Sequence, residues 1–257
     1  MPPVLEEIIK GLLIPEKEFT FLKLHNAPLK LYASPRLFMP NQTTAAIAES
    51  VKINGGEIGI EIGAGIGPLS VLLASQPLKH LYSTEVNEEQ CEIARKNHKR
   101  YNLSDKITLY RGSIFDPIAE NHPDLKADFI VSDISGMAEE PGRKLGWYPP
   151  AIPTGGPDGT EKIIPLIEQA PHFLKPEGRL YFPIVVNFSD GDKIKRIAQD
   201  NFKEIELVNS VSIPLTKELL NIVDNLSSGI YLPVQRAGSR GRWHLEIYEA
   251  RASIQPC

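Results

Sequence analysis

Three glycines at alternate positions, Gly63, Gly65 and Gly67, follow an apolar run that carries the carboxylate Glu61. The run Ile58-Gly-Ile-Glu-Ile reads as a buried strand, and Pro68–Ala74 as a helix of apolar period, so the glycines form the tight turn between them. Glycine serves where backbone must touch a ligand or take a positive φ, and such a turn makes a floor for a nucleoside. The spacing narrows the ligand. A dinucleotide fingerprint, Gly-x-Gly-x-x-Gly, needs its third glycine where Pro68 stands, and the Gly-Lys-Ser/Thr of a phosphate loop is absent. Glu61 would repel a pyrophosphate and suits a cation. Glu85 ends the next apolar run, at the offset where an open α/β sheet sets an acid against a ribose diol; the other reading is a solvated strand end or helix cap. A further run ends at Ser132-Asp133-Ile-Ser135-Gly. Asp133 is the candidate for orienting or deprotonating an acceptor, with Ser135 assisting, or else the pair is ordinary cap and turn chemistry. Trp147 and Tyr148 lie on the same connection. They either face a cation, for about 0.5–2 kcal/mol of cation–π attraction, or pin the loop to the sheet.

These residues need a scaffold that brings several strand ends together. Strands are expected near 57–62, 79–85, 106–111, 127–132 and 178–186, alternating with helices near 66–75, 87–101, 160–174 and 192–202. Alternation of this kind builds right-handed βαβ units and a parallel sheet with helices on both faces. Ile205–Ser212 and Trp243–Ala250 read as two strands without a crossover helix, best paired antiparallel. Between them runs an excursion, 214–242, that forms a lid, a short helix or a contact surface. Residues 1–40 read as an extension, with a helix around Val4–Leu13 and short strands at Phe19–Lys23 and Leu29–Tyr32. Residues 41–257 read as one domain, opening on a helix capped by Asn41 or Thr43.

The spacing Glu61-x-Gly-x-Gly-x-Gly67 resembles motif I of the class I S-adenosylmethionine (SAM)-dependent methyltransferases. That resemblance implies a Rossmann-like α/β fold, a seven-stranded mostly parallel sheet with an antiparallel last strand. It also implies SAM as cofactor, held by Glu61, Gly63, Ala64, Gly65 and Gly67 in the turn and by Glu85 and Val86 at the second strand. At the third strand end the family often carries an Asp toward the adenine amine, where this chain has Ser113. Ile114 and Phe115 there either sandwich the adenine or pack in the core. Asp133 reaches the same crevice from the fourth strand. Beyond motif I, Leu37-Phe-Met-Pro-Asn-Gln-Thr-Thr44 and Pro153-Thr-Gly-Gly-Pro-Asp-Gly159 resemble the HemK-type protein-glutamine methyltransferases over roughly 28–190. That family has Asn-Pro-Pro-Tyr after the fourth strand, where this chain has Asp133-Ile-Ser-Gly136, and it carries a longer N-terminal helical domain.

With Asp133, Ser135 and Tyr148 as the catalytic set, the leading expectation is methyl transfer to nitrogen or oxygen of a small molecule, because the short N-terminus offers little to dock a large one. A SAM cyclase resembling the azetidine-2-carboxylate synthases is the second reading, and a non-catalytic SAM-binding subunit the third. Net charge is −4, with acids and bases interspersed, so no nucleic-acid partner is expected; a homo-oligomer stays open. No stretch has the length of a membrane span and no export signal opens the chain, so a cytoplasmic location is expected. Cys91 and Cys257 are far apart, and none of His25, His80, His98, His122, His172 and His244 has metal-ligand spacing, so no metal is expected.

Overall fold

The computed structural model describes residues 17–24, 27–34, 36–134, 136–150, 152–227 and 233–253. The helix expected at Val4–Leu13 lies outside them, as do Ser135, His25 and Cys257. A hairpin comes first, β1 (Lys17–Leu24) paired antiparallel with β2 (Ala27–Ala33), then α1 (Gln42–Ser50). Asn41 caps α1 by accepting from the Thr43 N–H, and its own N–H donates to the Thr44 hydroxyl.

The main sheet is built from β3 (Ile58–Ile62), β4 (His80–Glu85), β5 (Ile107–Arg111), β6 (Ala127–Ser132), β7 (Leu174–Val185), β8 (Glu204–Leu215) and β10 (Arg240–Arg251), with the short β9 (Gln235–Ala237) beside β10. Their order is β5-β4-β3-β6-β7-β10-β8. β3 to β7 run parallel, and β10 is antiparallel to both β7 and β8. The connecting helices are α2 (Pro68–Ala74), α3 (Glu88–Arg100), α4 (Asp116–Asn121), α5 (Glu139–Lys144), α6 (Ile163–Gln169), α7 (Gly191–Asn201) and α8 (Lys217–Val223). The sheet expected from the sequence is present, with its reversed strand inserted before the last.

Two cores flank the sheet because strand side chains alternate faces. Ile60, Ile62, Ile130, Leu180, Phe182 and Ile184 meet Ile118 of α4, Leu166 of α6 and Ile194 of α7. On the opposite face Phe129, Val131, Leu245 and Ile247 meet Ile47 of α1, Leu69 of α2 and Ile93 of α3, with Leu29 and Leu31 of the hairpin. Glu61 lies on this second face, fully buried toward α2.

Three differences from expectation have local causes. The helix expected over 160–174 stops at Gln169, and a 3₁₀ turn over Ala170–Phe173 follows, with Pro171 at its start. β7 begins at Leu174, but its pairing with β6 breaks around Glu177, which takes a positive φ of 59°, and resumes at Arg179. The short α4 and α5 were not expected; in α5 a Pro-Gly pair masks a helix supported by Glu139–Arg143 and Glu140–Lys144 ion pairs. The 214–242 excursion folds as α8, capped by Thr216, and the β9–β10 hairpin.

Asn97 of α3, buried completely, joins the hairpin to the glycine turn. Its amide accepts from the Tyr32 N–H (2.8 Å) and donates to the carbonyls of Tyr32 (3.0 Å) and Ile66 (2.8 Å). Asn97→Ala leaves buried backbone groups without partners, and should cost about 2–4 kcal/mol in urea unfolding. A loss below that of an exposed control substitution would show that the hairpin docks without this clip.

Candidate active site

Strand order reverses between β3 and β6, which is where an open α/β sheet leaves a crevice beyond its carboxyl ends. The glycine turn forms its floor. Gly63 and Ala64 donate to the Thr84 carbonyl (2.9 and 3.0 Å), and Gly67 to the Ala64 carbonyl (2.8 Å). All three glycines have positive φ, at 78°, 56° and 85°. A side chain at Gly63 would strike Ile134, and one at Gly67 would meet His98 Nε2 at 2.9 Å. At Gly65 the nearest atom would be Gln90 Oε1, 3.8 Å off, so this position alone faces open space. Glu85 ties the turn to α3: Oε2 accepts from Gly65 N–H and Oε1 from Asn87 N–H, both at 2.8 Å.

The crevice has a volume of about 180 Å³. Gly63, Gly65, Glu85, Val86, Ser113, Ile114 and Asp133 line it, with Val86 half exposed. Phe115 does not: it is buried in the core and stacks on Phe173, ring centres 4.4 Å apart. Ile114 takes a positive φ of 45°, held by its carbonyl accepting from Thr84 Oγ1. Glu61, Ala64 and Gly67 are buried beneath the floor. Reading the sequence missed Phe38, Gln90, Ile134, Ile152, Pro153 and Lys162, which also line the crevice. Gln90 lies five positions past Glu85, a spacing with no signal of its own.

Electrostatically the site is defined by carboxylates in little water. Glu61 Oε2 accepts from the hydroxyls of Ser70 and Ser83, while Oε1 has no partner among the described residues. Burial raises its pKa to about 7, against the hydrogen bonds from the serines and with a smaller push from Glu85. Asp133 keeps part of its surface open to the crevice, yet packed protein surrounds the carboxyl. Lost hydration raises its pKa to about 7 as well, opposed by the bond from Thr44 and assisted by the negative charge of Glu61. Thr44 Oγ1, fully buried on α1, donates to Asp133 Oδ2 at 2.6 Å. Among the described residues no group of acids, histidines and cysteines could hold a metal ion.

A larger groove of about 470 Å³ opens from the same place and shares Phe38, Asp133, Ile134 and Tyr148 with the crevice. Tyr148 stacks on Phe38 with centroids 5.5 Å apart. Arg143 holds this loop through the carbonyls of Tyr148 (3.0 Å) and Pro149 (2.6 Å). Trp147 packs on Phe188 and Trp243, which makes it a pin. Pro214 and Leu219 of the excursion form the groove's far wall. The Gly-Gly-Pro-Asp-Gly segment supports the loop after β6: Gly155 donates to the Met137 carbonyl (2.9 Å), and Glu139 to that of Gly156 (2.8 Å). A side chain at Gly159 would strike the Gly136 carbonyl at 3.0 Å.

Comparison with known proteins agrees with this geometry. A family model described as RNA cap guanine-N2 methyltransferase matches residues 57–136. The release factor glutamine methyltransferase of Thermosynechococcus vestitus is 23% identical over 201 residues, covering 73% of this chain and 68% of that protein. The ribosomal protein uL3 glutamine methyltransferase of Bradyrhizobium diazoefficiens is 26% identical over 176 residues, 62% and 54% of the two chains. Among solved structures, a tRNA methyltransferase of M. jannaschii superposes with a TM-score of 0.53 at 13% identity, over 89% of this chain and 55% of that one. The chain spans between about a quarter and two thirds of the length of the curated relatives it matches. The fold is that of the class I SAM-dependent methyltransferases, and the matched proteins are methyltransferases, a class whose cofactor is SAM. Within that class it is HemK-like, the curated relatives being named for glutamine methylation.

The names of these relatives overturn the small-molecule expectation and the exclusion of nucleic acid that went with it. They are named for release factor and ribosomal protein, and the structural neighbour for tRNA. The error was to weigh only the short N-terminus and not a groove built from distant segments. The comparisons support neither the cyclase nor the non-catalytic subunit. No helix among the described residues is long and apolar enough to cross a membrane.

The carboxyls of Glu61 and Asp133 hold protons to about pH 7, whereas in the unfolded chain carboxyls release theirs near about pH 4. Between those values the unfolded chain is the more deprotonated, so stability falls as pH rises through that window. Asp133→Asn should flatten that fall in urea midpoints measured from pH 4 to pH 7, and an unchanged slope would show that Asp133 ionises normally. Gly65→Leu should cost only about 1–2 kcal/mol of stability, the strain of its positive φ, while abolishing calorimetric binding of S-adenosylhomocysteine. Retained binding would place the cofactor elsewhere.

Proposed function

We propose that this chain transfers the methyl group of SAM to an N–H-bearing side-chain nitrogen of a protein. The observation carrying this reading is the position of Asp133, a carboxyl poised near neutrality where the crevice meets the larger groove. SAM fits the residues present. Burial and, to a smaller degree, a neighbouring carboxylate disfavour the charged forms of Glu61 and Asp133, and a sulfonium with an ammonium would favour them. Glu85 keeps lone pairs for a ribose diol after accepting its two backbone bonds, and Val86 and Ile114 offer apolar surface to an adenine. Ser113, which lines the crevice, would accept from the adenine amine. Bound there, SAM supplies an electrophilic methyl, and its transfer leaves S-adenosylhomocysteine and one N–H proton to be removed.

Asp133 accepts a hydrogen bond from the acceptor N–H, orients its lone pair and takes the proton as the C–N bond forms. Thr44 holds that carboxylate in one orientation, and Tyr148 on Phe38 packs the acceptor's stem. Ser135, expected to assist, lies outside the described residues.

A protein acceptor is favoured over RNA on three grounds. The curated relatives are named for protein glutamine. The groove is lined by Met39, Trp147, Tyr148 and Trp243, apolar and aromatic surface suited to a side-chain stem. The family model described for RNA ends at Gly136, so it reaches the Asp133 loop but leaves out most of the groove's walls, from Met137 through Trp243.

Purified protein incubated with methyl-tritiated SAM and a cell extract should put acid-precipitable label into protease-sensitive material. Label sensitive to nuclease instead, or methylthioadenosine formed without any acceptor, would overturn the reading. Asp133→Asn should lower turnover by roughly a hundredfold while changing affinity for S-adenosylhomocysteine by less than about threefold. A loss confined to affinity would make Asp133 a cofactor ligand.

A further inference from the structure

Gln90 sits on the first turn of α3, only 4% exposed, and its side chain lines the crevice. Its Oε1 accepts no hydrogen bond from any described residue. A buried amide oxygen without a donor is costly, and such an atom in a native fold calls for a partner that arrives from outside. Its position indicates which partner. Oε1 would lie 3.8 Å from a side-chain carbon built on Gly65, the one glycine of the turn that faces open space. Gly65 itself donates to Glu85 Oε2, so Gln90, Gly65 and Glu85 frame a single corner of the crevice.

We propose that Gln90 is a cofactor-binding residue that, with Glu85, completes the site for the ribose diol. This rests on the SAM reading above. Glu85 is acceptor-only as a carboxylate and has already accepted one backbone N–H on each oxygen. A diol brings two O–H donors and also four lone pairs, which a carboxylate cannot satisfy. The Gln90 amide supplies both functions at its end, an oxygen that accepts from one hydroxyl and an NH₂ that donates to the other. The orphaned Oε1 gains its partner only when the cofactor is bound, so Gln90 contributes to affinity and little to the stability of the free chain.

The test is a ligand-side and protein-side cycle with S-adenosylhomocysteine and its ribose-deoxy analogues, 2′-deoxy and 3′-deoxy, titrated calorimetrically into the wild-type protein and Gln90→Ala. Gln90→Ala should bind S-adenosylhomocysteine roughly tenfold more weakly, with the thermal midpoint of the ligand-free protein unchanged or raised. For each deoxy analogue the gap between wild type and variant should shrink below tenfold, because one of the two hydroxyls that Gln90 meets is missing. Gln90→Glu, which keeps the oxygen and loses the NH₂ donor, should recover only part of the loss. Equal binding of S-adenosylhomocysteine by wild type and Gln90→Ala would overturn this inference. An equal tenfold loss for all three ligands would overturn the ribose assignment. Absence of binding to the wild type would overturn the SAM reading itself, a distinguishable failure.

Discussion

Three carboxyl groups, Glu61, Glu85 and Asp133, converge on the carboxyl ends of three adjacent strands, and their burial is the constraint around which the crevice is built. A buried charge without compensation is among the most destabilising features a fold can hold. Each carboxylate is managed differently. Glu85 receives two backbone N–H bonds, from Gly65 and Asn87, and in doing so fixes the glycine turn against α3. Glu61 sits below the floor with two serine hydroxyls on one oxygen and none on the other, and burial keeps its proton up to about pH 7. Among the described residues Asp133 has one hydroxyl partner, Thr44, and it is the one of the three that borders the groove. In this division Glu85 orders backbone, while the buried Glu61 and Asp133 set the field of the crevice.

That field depends on backbone geometry that only glycine allows. At Gly63 a side chain would displace Ile134, and at Gly67 it would enter the space of His98. The His98 ring is itself buried and held neutral, its pKa lowered to about 4 chiefly by lost hydration. The glycines therefore serve packing on two sides and open space on one. Read as a string they are equivalent; in the fold Gly63 and Gly65 line the crevice, and only at Gly65 would a side chain meet open space.

The cofactor half was legible because it is local. Strand, turn and helix follow each other in the chain, and the acid at the end of the next strand falls at an offset set by one βαβ unit. The parallel strands and most element bounds follow from the same alternation. The groove was not legible. It is assembled from 37–43, 133–149, 213–219 and Trp243, segments joined only by tertiary contact. Thr44 read as part of a helix start, and nothing in its neighbours says that its hydroxyl meets Asp133 across 89 positions. Ile114 and Phe115 show the same limit at shorter range. Adjacent and both apolar, they part company because a positive φ at Ile114 turns it to the crevice while Phe115 goes to the core.

Where the HemK-type enzymes have two prolines after the fourth strand, this chain has Ile134 and Ser135, and it needs another source of rigidity to hold Asp133. The fold supplies it from outside the loop. Ser132 Oγ donates to the Ile62 carbonyl and accepts from Ile134 N–H. Ile134 packs against the space that a side chain at Gly63 would fill, so the loop seats on the cofactor turn itself. Ala138 donates to the Phe188 carbonyl, and Gly155 to that of Met137. Prolines restrict a backbone intrinsically, whereas these contacts restrict it only in the folded state, so the entropy of ordering the loop is met by packing rather than removed from the unfolded chain. One consequence is that the loop's geometry is tied to the glycine turn, the Gly-Gly-Pro-Asp-Gly segment and α1 together. The Gly-Gly-Pro-Asp-Gly segment thereby takes on a role that its distance from Asp133 in the chain hides: its close backbone approach to Gly136 and Ala138 makes it the outer wall of the mould in which Asp133 is held.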